Sequence, residues 1–152
     1  MTLHEDVDRA AGTYSRDIRF SDGPNWLGIV VLYLRPRGRF LMIGYWPGHE
    51  RSCVAGQWSR SDGTLQLRGK GSSSTCVISE DYGVTRPFVR VLQVDDEHAP
   101  PTLIAAKELP GWSLLGWAGP MTYDGQETII ENDWGPTSLS EVDRWIEHLP
   151  DE

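Results

Sequence analysis

Apolar residues along this chain recur mostly at every second position. Clusters of Gly, Pro, Ser, Asp and Asn interrupt them roughly every 8 to 14 residues. Side chains of a strand point alternately to its two faces, so this period marks strands with one buried side, and the interruptions mark turns. The pattern predicts an all-β fold, a barrel or a sandwich. In the first strand Tyr14, Ile18 and Phe20 point one way, while Thr13, Ser15, Asp17 and Arg19 point the other. Ser21-Asp22-Gly23-Pro24-Asn25 then supplies turn chemistry.

Two stretches, Trp26 to Leu34 and Arg39 to Trp46, are apolar on both faces and are joined through Arg35-Pro36-Arg37-Gly38. Strands buried on both sides lie at the centre of a structure. One of their faces is expected to line the interior, and the other to sit under a helix or a partner. Cys53 to Arg60, Thr64 to Lys70, Thr75 to Glu80, Pro87 to Asp95 and Thr102 to Leu109 continue the meander. Trp112 to Ala118 and Thr122 to Glu131 carry weaker strand patterns, the second with Asp124-Gly125 as a possible internal hairpin turn. The period changes only at the end. Ser138-Leu139-Ser140-Glu141 fits a capping box, and Val142, Trp145, Ile146 and Leu149 form one stripe of a helix that Pro150 stops. This helix is expected to pack on the sheet or plug one end of it. Residues 1–11 are polar enough for a flexible lead-in. At 152 residues the chain fits one domain, 1–152, with strands over 12–131 and a helix over 138–149.

Charge narrows the function classes. A formal net charge of −8 disfavours nucleic acid and anionic membrane surfaces, both of which call for a basic footprint. It is compatible with a basic protein partner. The chain's start lacks a signal-like pattern and no apolar run reaches the ~20 residues a spanning helix needs, so a cytoplasmic protein is expected. In that compartment Cys53 and Cys76 are expected as thiols.

Gly12-Thr13-Tyr14 opens the first strand, and Gly56-Gln57-Trp58 recurs just before Asp62-Gly63-Thr64-Leu65-Gln66-Leu67. On these residues the chain, over about 12 to 94, resembles the small lipocalin-like (calycin-type) β-barrels of bacteria. The resemblance implies an antiparallel lipocalin-like up-and-down barrel. It also implies binding of a small apolar molecule, with isomerase, decarboxylase or cyclase activity in a few members.

Seven tryptophans are many for this length. Each brings a large apolar body and one N–H that needs a partner when buried. They serve either as core or as the wall of a ligand cavity or interface. Tyr45, Trp46, Trp58, Trp112 and Trp117 are the candidates for a cavity lining. Arg16 and Arg90 each interrupt an apolar alternating row, so a guanidinium there needs an internal carboxylate, an aromatic face or a ligand carboxylate. His4, His49, His98 and His148 show no metal-ligand spacing, neither cysteine lies in a Cys-x-x-Cys, and Gly69-Lys70-Gly71-Ser72 lacks the first glycine of a phosphate loop. No metal and no cofactor is expected. Glu131 and Asp133 could act as acid and base, or be surface carboxylates. Three readings stay open: a binding protein with an aromatic-lined cavity, an inhibitor or immunity protein that neutralises a basic partner, and a cofactor-free barrel isomerase or cyclase.

Overall fold

A computed structural model of the protein describes residues 11–19, 26–45, 52–61, 64–72, 86–95, 102–105, 120–130 and 132–149. Eight strands follow one another through these residues: β1 (Gly12–Arg19), β2 (Trp26–Arg35), β3 (Arg39–Tyr45), β4 (Ser52–Ser61), β5 (Thr64–Ser72), β6 (Arg86–Asp95), β7 (Thr102–Ala105) and β8 (Pro120–Gly125). One helix, α1 (Leu139–Glu147), comes after them. Every strand pairs antiparallel with the next. β8 then returns to β1 through Thr13↔Gly125, Tyr14↔Tyr123 and Ser15↔Thr122, so the strand order is closed.

The doubly apolar reading of β2 and β3 holds, and its cause is visible. One face carries Val30, Leu32, Leu34, Phe40 and Met42, each at most 1% exposed, and looks inward. Register continues this face through Val54 and Trp58 of β4, Leu65 and Leu67 of β5, and Tyr14 of β1, all buried. The opposite face carries Val31, Tyr33, Leu41, Ile43, Cys53 and Ala55, and α1 lies over it with Val142 inserted. Burying both faces removes roughly twice the apolar area per strand, at about 25 cal/mol for each Å² taken from water. That is why these two strands tolerate hardly any polar residue between Ile29 and Leu34 or Phe40 and Ile43.

A sheet this small must bend sharply to close. Gly56 and Gly69 face one another across β4 and β5, and the chains approach so closely there that a β-carbon on Gly56 would lie 2.2 Å from the Arg68 carbonyl oxygen. One on Gly69 would lie 2.1 Å from that of Ala55. This glycine pair is the corner at which the two strands coil past each other.

The β2–β3 connection is a single 3₁₀ turn, Pro36–Gly38, in which Arg37 (φ 68°) and Gly38 (φ 69°) are both left-handed. β8 is shorter than the Thr122–Glu131 pattern suggests. Gly125 ends it at φ 145°, and the chain leaves the sheet in a turn, so Asp124-Gly125 forms the strand's edge and not an internal hairpin. The departing segment is stapled across the outer face. Thr13 Oγ1 donates to the Thr128 carbonyl at 2.5 Å, and the Ile130 N–H donates to the Tyr33 hydroxyl at 3.2 Å. Asn132 then donates to the Ile130 carbonyl and accepts from the Trp134 N–H, turning the chain toward α1.

α1 starts where its sequence signature places it. The Ser138 hydroxyl accepts from the Glu141 N–H at 3.1 Å. Glu141 reaches one residue further back than in the standard box, accepting from the Thr137 N–H at 2.8 Å. The helix packs on β3 and β4 from outside, which decides between the two expected placements. The strands expected at Thr75–Glu80 and Trp112–Ala118 lie outside the described residues, as do Phe20, residues 106–109, residues 1–10 and Cys76.

Candidate functional site

The inner face supplies the candidate. Its floor is built by Tyr14, Leu32, Leu34, Phe40, Met42, Leu65 and Leu67, all sealed from solvent. Trp58 closes it beneath the β2–β3 turn. The indole is 4% exposed, and its Nε1–H donates to the Arg35 carbonyl at 2.9 Å, which satisfies the one donor it brings into the interior.

Arg16 departs from this pattern. It follows Tyr14 on the inner face of β1, and its register partner is Val30, which is fully buried. Arg16 itself is only half-buried. A long cationic side chain on an apolar face keeps its stem in the hydrocarbon and carries its head to water.

Tyr123 of β8 stands opposite Tyr14, with its ring toward the Gly12 end of β1. Its ring meets that of Tyr14 at 5.2 Å between centroids, tilted by 60°. Gly12 makes this possible, because a β-carbon there would lie 2.4 Å from the Tyr123 ring. Burial pushes the Tyr123 phenol above its ordinary pKa, so it remains a neutral donor and acceptor at physiological pH.

Arg90 pairs in register with Leu67, one of the floor residues. Tyr45 goes elsewhere. At the end of β3 it pairs with Ile29, and its ring stacks on Trp134 at 4.7 Å and 5° on the outer face, under the C-terminal segment. It is thus separated from Arg16 by the thickness of the sheet. Trp46, Trp112 and Trp117 lie outside the described residues.

A second polar cluster has no counterpart among the sequence expectations. Asp143 on α1 receives the Arg35 guanidinium in a fork, Nε to Oδ1 at 2.8 Å and Nη2 to Oδ2 at 3.2 Å, with Arg39 Nη2 at 3.3 Å. The hydrogen bond from Arg35 holds the carboxyl below its usual range. Partial burial works against this, and the charges of Arg35 and Arg39 add to it. Two arginines flanking a three-residue turn were a legible signal for a carboxylate partner; that it would come from α1 was not. Among the described residues, no group of three His, Cys, Asp or Glu side chains could hold a metal ion. Nor is any helix among them long and apolar enough to cross a membrane. Compared with known protein families, curated proteins and solved structures, the chain matches none of them.

Proposed function

We propose that the protein is a lipocalin-like up-and-down barrel that binds a small, partly apolar ligand, with Arg16 meeting an acidic group on that ligand. The observation that carries the reading is a half-buried arginine on a face whose neighbours, Tyr14 and Val30, are sealed. The closed strand order supports the barrel, and the Trp58 indole beneath the β2–β3 turn supports an interior closed at that end.

The test is an equilibrium titration, read by tryptophan fluorescence, with a medium-chain fatty acid and its neutral alcohol. Wild type is expected to favour the acid. Arg16→Ala is expected to lose about tenfold or more in affinity for the acid, the worth of a hydrogen bond to a charged group, while leaving the alcohol unaffected. Equal binding of the acid by both proteins, or none by wild type, overturns the proposal.

A further inference from the structure

Charge on this acidic chain is segregated. Residues 26–72 hold seven Lys or Arg against two Asp or Glu, a formal net of +5. Residues 120–149 hold one against seven, a net of −6. The fold sets part of this division side by side: α1 covers the outer face of β3 and β4, and Arg68 and Lys70 are exposed on the outer face of β5 next to it.

Register places Arg35, Arg39, Gln57 and Arg68 in one row across the outer face of β2 to β5, with Lys70 one step along β5 beside Ala55. Strands lie about 4.8 Å apart, so the row spans roughly 14 Å. α1 packs over β3 and β4 and takes Arg35 and Arg39 through Asp143. Gln57, Arg68 and Lys70 lie at the β5 side of that helix and are exposed. On the C-terminal segment itself Asp124, Glu127, Asp133 and Glu147 are exposed.

We propose that these adjoining surfaces form a self-complementary interface, in which two copies of the chain associate about a two-fold axis. The basic β4–β5 face of each copy then receives the acidic C-terminal segment of the other. Side-by-side patches of opposite sign are what such an axis requires, since it brings each patch onto its opposite. The seat of Asp143 between Arg35 and Arg39 shows within one chain the contact that the second copy repeats. Opposite fields also steer the encounter although both molecules are acidic overall.

Sedimentation velocity of the full chain tests this. At low salt, wild type is expected to move toward a dimer as concentration rises, and to revert to monomer in about 1 M salt, where the screening length is about 3 Å. Arg68→Glu with Lys70→Glu is expected to weaken the dimer at least tenfold, and Asp133→Lys with Glu147→Lys to do the same. All four positions are exposed, so the variants fold, which circular dichroism checks. An equimolar mixture of the two double variants is expected to dimerise again, because every contact in it pairs opposite charges. Wild type that stays monomeric at low salt, a dimer that ignores Arg68 and Lys70, or a mixture that fails to associate overturns the proposal.

Discussion

Arg37 shows how much one residue's backbone can cost. With φ 68° and ψ 23° it sits in the left-handed region between Pro36 and Gly38, where an L side chain crowds the neighbouring carbonyl. Pro36 holds Arg35 extended, and Gly38 is required because a β-carbon there would be left-handed and 3.0 Å from the Trp58 carbonyl oxygen. Arg37 therefore absorbs a strain the turn needs. Asn accepts this conformation more readily and a β-branched residue hardly at all. In denaturant melts Arg37→Asn is expected to gain about 0.5 kcal/mol and Arg37→Val to lose about 1 kcal/mol or more. A Val variant as stable as wild type would mean that the turn does not hold this geometry. Such a conformation is not legible in the sequence, since Arg-Pro-Arg-Gly-Arg fits several turn types.

At the scale of elements, the attachment of α1 to the sheet is part apolar and part ionic. Val142 supplies the first and the Arg35–Asp143–Arg39 cluster the second. Asp143 has a lowered pKa in the folded state, so its contribution is present above the unfolded carboxylate value of about 3.9. It fades as pH falls through the folded value, because protonation then removes the acceptor charge. Asp143→Asn is expected to cost about 1 kcal/mol at neutral pH, the modest worth of a partly exposed pair, and almost nothing in strong acid. Melts of both proteins at the two pH values check this; a gap that persists in acid would assign the loss to packing. The extent of α1 was legible because Ser138, Glu141 and the Val142–Leu149 stripe act locally. Its docking place was not, because no local rule says which of two apolar faces is the inner one.

Across the whole molecule the same contrast recurs. The edges of β1 to β6 follow from alternation and turn residues, whose physics spans only a few positions, whereas the direct pairing of β5 with β6 does not. The long-range closure of β8 on β1 rests on three residue pairs 107 to 112 positions apart, and alternation carries no information about such partners. The candidate site divides likewise. Arg16 was visible as a charge interrupting an apolar row. Tyr123, which meets Tyr14 only through that closure, and Trp134, which claims Tyr45 for the outer face, gave no local sign. A polar residue that breaks a period is a point signal, while an aromatic residue obeying its period could be core, cavity or interface.

Cys53 turns this architecture into a clock. Its side chain lies on the outer face of β4, 4% exposed, among the residues that α1 covers. A thiol reagent therefore reacts with it only in molecules whose C-terminal segment has lifted away. When closing outpaces the chemistry, the labelling rate reports the population of that opened form, as amide exchange does for a local unfolding event. With Cys76 replaced by Ser, labelling of Cys53 is expected to accelerate about fivefold in the Asp143→Asn background, the kinetic image of about 1 kcal/mol. An unchanged rate would mean that the thiol becomes accessible through the sheet, with α1 still in place.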